Sequence, residues 1–247
     1  MNNLTNFVGN LRYRPTYPAR RFVTRIPMDQ YGPWRLRLAE KRREFGNTYT
    51  FAFEPLAPFE FYAGQYVHLT ATPERGDKSM TRHMSIASPP RSRYLEFSMD
   101  LSSGTDYKRA MAALRVGDTV TAFKLKGEFL VESGGPVPLV FLAGGLGITP
   151  MRAILRDLAD AGSDLPRSLF HVARDAHLFK DELGALDFPQ WRTDRSGLDA
   201  LWPTVLERGG AEGKFYLCGS ERFVLGMQER LYRDGVAPER VVVENFR

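Results

Sequence analysis

Apolar and polar residues alternate through the first half of this chain and gather into solid runs in the second. Alternation marks a strand with one wet face, so segments 35–41, 48–53 (TYTFAF), 65–70 (QYVHLT), 94–101 (YLEFSMDL) and 118–125 are predicted strands between turn signals. Short strands at this spacing imply a closed antiparallel β-barrel. One helical patch interrupts them. Tyr107, Ala110, Met111 and Leu114 recur at helical spacing after Ser102-Ser103-Gly104-Thr105, and Gly117 ends the run. Past residue 138 the texture changes: residues 139–143 (LVFLA) are wholly apolar, as in a strand covered on both faces, and run straight into Gly144, Gly145, Leu146 and Gly147. Thr149 falls where a helix N-cap belongs and Pro150 at the first helical position, with Met151, Ile154, Leu155 and Leu158 at helical spacing behind them. Strands over 168–173, 190–194, 215–218 and 241–244 alternate with helices over 178–186 and 221–233, which predicts an α/β doubly wound parallel sheet. The organisation expected is an irregular basic arm (1–32), a barrel domain (33–133) and an α/β domain (137–247), with ESGGPVP as the linker.

A doubly wound sheet takes its ligands beyond the C-terminal ends of its strands. The turns after Ala143, Ala173, Asp194 and Cys218 would then line one crevice. A glycine turn opening a helix lets phosphates approach bare backbone and meet free N–H groups at the positive helix end. A bound dinucleotide is the leading reading, beside an ordinary βα turn that needs its glycines only for geometry.

Composition narrows the chemistry. Of 247 residues only Cys218 is a cysteine, which excludes an internal disulfide and a four-cysteine iron–sulfur cluster. The four histidines, His68, His83, His171 and His177, lack metal-ligand spacing, so no metal is expected. No apolar run approaches the ~20 residues of a membrane helix, and no signal-peptide core is present, so the default expectation is cytoplasmic. The net charge of +5 is uneven: residues 1–45 hold ten Lys/Arg against three Asp/Glu, the remaining chain 24 against 26. Such an arm either steers an acidic protein partner or is a solvated tail; no nucleic-acid fold signature accompanies it.

The densest cluster in the barrel is Thr81-Arg82-His83-Met84-Ser85, preceded by Gly64-Gln65-Tyr66-Val67 and followed by Gly104-Thr105-Asp106-Tyr107-Lys108. Together with the glycine turn, Ala173-Arg174-Asp175, Cys218-Gly219-Ser220 and Glu244-Asn245-Phe246, the order resembles the ferredoxin-NADP reductase family over residues 34–246. The resemblance implies an FAD-binding barrel followed by an NAD(P)-binding sheet. Arg82, His83, Met84 and Ser85 match the family's Arg-x-Tyr-Ser, so Arg82 is implied to hold the FAD pyrophosphate and Ser85 the N5 edge of the flavin. Met84 departs from the family's stacking tyrosine. Met99, Asp100 and Leu101 match the flavin-pocket strand, and Ser103, Gly104 and Thr105 the pyrophosphate turn. On the coenzyme side the resemblance implies Gly144, Gly145, Gly147, Thr149, Pro150, Ala173 and Arg174, with Gly219 and Ser220 next to the nicotinamide. Cys218, Ser85 and Glu244 are the implied catalytic residues, and Phe246 the ring that covers the flavin.

The activity implied is hydride transfer from NAD(P)H to FAD, with electrons passed singly to a ferredoxin or flavodoxin. Two alternatives stand beside it: a reductase of free flavin or small acceptors, and a flavin-binding electron-transfer or regulatory subunit without NAD(P)H turnover. Between coenzymes, Arg195 suits the 2′-phosphate of NADP whereas Asp194 suits the bare ribose diol of NAD, and the reading leans to NADPH.

Overall fold

The structure, a computed structural model, describes residues 30–72, 78–131 and 137–244. The arm up to residue 29 and the terminal Phe246 therefore lie outside the described residues.

Six antiparallel strands form the first sheet: β1 (Trp34–Phe45), β2 (Thr48–Pro55), β3 (Tyr66–Thr70), β4 (Thr81–Ser85), β5 (Leu95–Asp100) and β6 (Thr119–Lys126), in the order β4-β3-β6-β1-β2-β5. Inward positions on successive strands, among them Leu36, Leu38, Phe51, Phe53, Val67, Leu69 and Phe97, form its core. The sheet curls until its two edges meet. There the Ala87 N–H donates to the Glu96 carbonyl at 2.8 Å and the Glu96 N–H to Ser88 Oγ at 3.1 Å. Of the six strands, only β4 escaped the apolar–polar pattern, because its TRHMS is almost wholly polar. Helix α1 (Asp106–Ala113) sits where predicted and buries Tyr107 and Met111, with Thr105 as its N-cap.

The second sheet is wholly parallel. Strands β7 (Leu139–Gly144), β8 (Arg167–Val172), β9 (Gln190–Thr193), β10 (Lys214–Cys218) and β11 (Val241–Val243) lie in the order β11-β10-β7-β8-β9. Strand order reverses between β7 and β10, which opens a crevice at their C-terminal ends. Alternate residues of β7 serve opposite faces. Leu139, Phe141 and Ala143 pack with α2 (Ile148–Asp160) and with Phe129 from the barrel side; Val140 and Leu142 pack with α4 (Leu198–Gly209) and α5 (Glu221–Arg233). The short α3 (Lys180–Gly184) follows β8. Helix α4 was not predicted, although Leu198, Trp202 and Val205 recur at helical spacing, because Pro203 stands inside it.

One arginine holds the two sheets together. Arg152 of α2, its side chain 9% exposed, pairs with Glu96 of β5 and, through Nε at 2.8 Å, with Glu182 of α3. Its Nη1 also donates to the Ala87 carbonyl at 3.1 Å, and its guanidinium lies 4.3 Å from the centre of the Phe179 ring. Tyr216 of β10 adds a second bridge, donating its hydroxyl to the Leu130 carbonyl at 3.0 Å. Removing one member of a buried ion pair strands its partners, at a cost of ~3 to 5 kcal/mol. Arg152→Leu is therefore expected to lower the unfolding free energy in urea by about 3 kcal/mol; a loss under about 1 kcal/mol would show that the carboxylates find water instead.

Candidate functional site

A cavity of about 790 Å³ opens between the seam of the barrel and the switch point of the parallel sheet. The barrel contributes His83, Met84 and Ser85 from β4, Met99 and Asp100 from β5. The turn after β7 contributes Gly144, Gly145 and Gly147, and the head of α2 contributes Thr149. Ala173 and Arg174 follow β8, Arg195 follows β9, and Gly219 and Ser220 follow β10. Six widely separated stretches singled out in the sequence thus face one space.

On the barrel wall, Ser85 Oγ is buried and has no hydrogen-bond partner among the described residues. A buried hydroxyl without a partner is costly, so its position on a cavity wall marks a place for a ligand atom that bonds to it. Met84 and Met99 set two thioethers beside it. Ser98 lines the same wall and bonds its cross-strand partner Thr50 on the neighbouring β2 at 2.7 Å. Lys108, on the first turns of α1, reaches the cavity too. Asp100 is spent locally: Ser102 donates to it from its hydroxyl and its backbone N–H, which holds the carboxyl below the usual range.

Arg82, Leu101, Ser103, Gly104 and Thr105 do not line the cavity. Arg82 is exposed and turned to α1, its guanidinium 5.2 Å from the centre of the Tyr107 ring while Nη1 donates to the Ser79 and Thr81 carbonyls at 3.0 and 2.6 Å. Thr105 Oγ1 accepts the Lys108 N–H at 3.4 Å. These residues and Lys108 therefore gather around the N-terminal end of α1, the positive end of that helix. The Tyr107 hydroxyl is buried without a partner among the described residues, and burial pushes its ionisation up.

On the sheet wall the glycine turn is shaped by contact. A Cβ at position 147 would lie 2.1 Å from the Cys218 carbonyl oxygen, so only glycine lets the turn after β7 touch the end of β10. The Phe223 ring of α5 lies against Gly144 and Gly219, where a Cβ would stand 2.7 and 2.8 Å from it, and closes that end of the cavity. One expectation needs correction. Thr149 is not an N-cap: α2 begins at Ile148 with Gly147 at the cap, and Thr149 Oγ1 instead donates to the Leu146 carbonyl at 2.9 Å, so Pro150 is the third helical residue and does not line the cavity. Asp194 does not line the cavity. Its Oδ1 accepts the Ser196 hydroxyl at 2.7 Å and the Gly197 N–H at 2.9 Å, which keeps its carboxyl below the ordinary range.

Cys218 is wholly buried, under the turn rather than in the cavity. Burial first, and the neighbouring Glu244 second, push its thiol ionisation up, so it stays a neutral thiol. Glu244, 5% exposed, is tied to β10 by its N–H donating to the Leu217 carbonyl at 3.1 Å. Burial raises its carboxyl to about 7. Ser98, Lys108, Leu146, Val172 and Phe223 line the cavity without having been singled out. Of these, Lys108 and Leu146 carried a signal in the sequence, standing in the motif that contains Thr105 and in the glycine turn. Among the described residues, no cluster of His, Cys, Asp and Glu could hold a metal ion, and no helix is long and apolar enough to cross a membrane.

An antiparallel barrel followed by a doubly wound parallel sheet, with a cavity between seam and switch point, is the two-part architecture that the motifs imply. No family model matches the chain. It is 29% identical over 212 residues to ferredoxin–NADP reductase B of Sorangium cellulosum, covering 76% of this chain and 86% of that protein. It is 27% identical over 248 residues to a flavohemoprotein of Deinococcus radiodurans, covering 88% of this chain and 61% of that protein. The chain thus spans less than two thirds of the flavohemoproteins it matches. A ferredoxin NADP+ reductase from Neisseria gonorrhoeae, solved with bound FAD and NADP, superposes with a TM-score of 0.74 at 20% identity, covering 88% of this chain and 99% of that one. The chain is a homologue of ferredoxin-NADP reductases and flavohemoproteins, as its motifs imply.

Glu244 makes stability depend on pH. Its folded value of about 7 lies above its ordinary 4.5, so the stabilisation is complete at acid pH and is lost as pH rises through about 7. The swing is on the order of 3 kcal/mol. Relative to Glu244→Gln, the wild type is expected to lose melting temperature between about pH 5 and 8; parallel curves for the two would show that Glu244 reaches solvent.

Proposed function

We propose that this protein is an FAD-dependent NAD(P)H oxidoreductase that passes electrons onward to a small redox protein. The observation that carries the reading is the unpartnered Ser85 hydroxyl, buried on the wall of a cavity whose opposite wall is a glycine turn at a helix N-terminus. The residues present fit FAD. Ser85 would donate to an acceptor atom at the ring edge, Met84 and Met99 would supply apolar, polarisable contact, and Lys108, Arg82 and the capped end of α1 would neutralise a pyrophosphate. FAD supplies the exchange between two-electron hydride and one-electron chemistry.

Across the cavity, the N–H groups of the glycine turn suit the pyrophosphate of a nicotinamide coenzyme. Arg195 stands at the rim, with Arg174, paired to Asp175 at 3.6 Å, near it; of the two residues that bear on the coenzyme, Arg195 lines the cavity and Asp194 does not, which favours NADPH over NADH. Beneath the turn, Cys218 supplies a small neutral neighbour and Glu244 a carboxyl that holds a proton below about pH 7. The name of one relative, a ferredoxin–NADP reductase, supports a small redox protein as acceptor, and the excess of positive charge in residues 1–45, most of which lie outside the described residues, suits an acidic one.

Purified protein is expected to carry non-covalent FAD, and NADPH is expected to bleach its absorbance near ~450 nm in stopped flow, flavin being the electron acceptor. Mass spectrometry of the released cofactor showing FMN, or a flavin that neither NADPH nor NADH reduces, refutes the reading and favours a subunit without turnover. Arg195→Ala should raise the KM for NADPH about tenfold, the loss of a charge-assisted contact, and leave that for NADH unchanged.

Salt separates the acceptors. If residues 1–45 steer an acidic protein, its reduction should slow severalfold as ionic strength rises from about 0.01 to 0.5 M while reduction of a small neutral acceptor holds. Equal salt dependence for both would favour a small-acceptor reductase.

A further inference from the structure

Two histidines lie beneath the turns on the sheet side of the cavity and do not themselves line it. His171 of β8, opposite Ala143 of β7, is 2% exposed, and its Nε2 is 3.0 Å from the carbonyl oxygen of Gly145. His177, in the loop after β8, has its Nε2 3.1 Å from the Thr193 carbonyl at the end of β9, which also accepts the Ala173 N–H at 2.9 Å. The two rings meet edge to face, their centres 4.9 Å apart. A carbonyl can only accept, so both Nε2 atoms carry the proton and donate it. Burial holds His171 neutral, its value pushed down to about 4. Through these two rings the turns after β7, β8 and β9 are joined.

The anchored carbonyl has a consequence for its own peptide. In a trans peptide the N–H points opposite to the C=O, so a Gly145 carbonyl drawn down onto His171 turns the Leu146 N–H away from His171, to the side on which Gly145, Leu146 and Gly147 line the cavity. Gly145 has φ +54, in the left-handed region where glycine moves freely, so little besides this bond and the Ile148 N–H on the same carbonyl opposes a flip of the peptide.

We propose that His171, braced by His177, is a positioning residue that fixes the Gly145–Leu146 peptide with its N–H toward the coenzyme pyrophosphate. The inference rests on the reading of this cavity as the NAD(P)H site. Loss of one hydrogen bond to a charged group costs about tenfold in affinity.

The test is steady-state and stopped-flow kinetics of the FAD-loaded protein with NADPH and NADH, using ferricyanide as acceptor. His171→Phe keeps the ring volume and removes the donor. It is expected to raise KM for the preferred coenzyme about tenfold, with kcat changed less than about twofold and the flavin content unaltered. His171→Gln, whose amide places an N–H near the position of Nε2, should restore most of the affinity. His177→Phe, at a less buried site, should raise KM in the same direction by a smaller factor and carries the test if His171→Phe does not fold. An unchanged KM in His171→Phe, equal losses in His171→Phe and His171→Gln, or a fall confined to kcat overturns the proposal while the coenzyme reading stands. A wild type that neither coenzyme reduces overturns both.

Discussion

The guanidinium of Arg152 is the contact on which the geometry of the cavity depends. It leaves the helix whose first turn is the glycine loop and reaches the Ala87 carbonyl, two residues beyond Ser85, and Glu96, at the start of the strand that supplies Met99. One side chain therefore ties the sheet wall of the cavity to both strands of the barrel wall. A hydrophobic contact at the same place would bind the domains without fixing their register; a planar, multiply bonded cation between two carboxylates and a carbonyl fixes direction as well as distance.

Around that clasp, the distribution of charge follows the chemistry asked of the site. Under the sheet wall lie a neutral thiol at Cys218, a neutral imidazole at His171 and a carboxyl at Glu244 raised to about 7, all kept so by burial. The cations Arg174, Arg195 and Lys108 sit on the cavity wall or its rim, where water can still reach them before a ligand does, and Asp100 adds a carboxylate, held by Ser102, on the barrel wall. Burial thus favours the neutral forms beneath the sheet wall and leaves formal charge to groups on the cavity surface.

How far the sequence disclosed this depends on how local each signal was. Both sheets, α1 and the glycine turn were legible because their patterns are contiguous: alternation in the barrel, an apolar run and three glycines in β7 and its turn. Helix α4 was hidden by Pro203, and β4 by its polar residues, although β4 is the strand that bears the motif. Thr149 is deceptive because a threonine before a proline looks like a cap, whereas the helix starts two residues earlier than that cap implies, by way of a 3-10 turn at Gly145–Gly147. Arg152 could not be found at all. On a helix an arginine reads as solvent-facing, and its partners at Glu96 and Glu182 are distant in sequence, so only the packed fold brings them together.

The seam of the barrel has a kinetic meaning. Where other neighbouring strands are joined by ladders of four or more residue pairs, the residues after β4 meet β5 through the amides of Ala87 and Glu96, in the stretches that also carry Ser85 and Met99. Few ladder bonds cross this margin, but Arg152 grips it from outside, holding the Ala87 carbonyl on one side and Glu96 on the other. Opening the barrel at its seam therefore means loosening the contact between the two sheets as well, so the exchange of these two amides with solvent reports on the union of the halves rather than on the barrel alone.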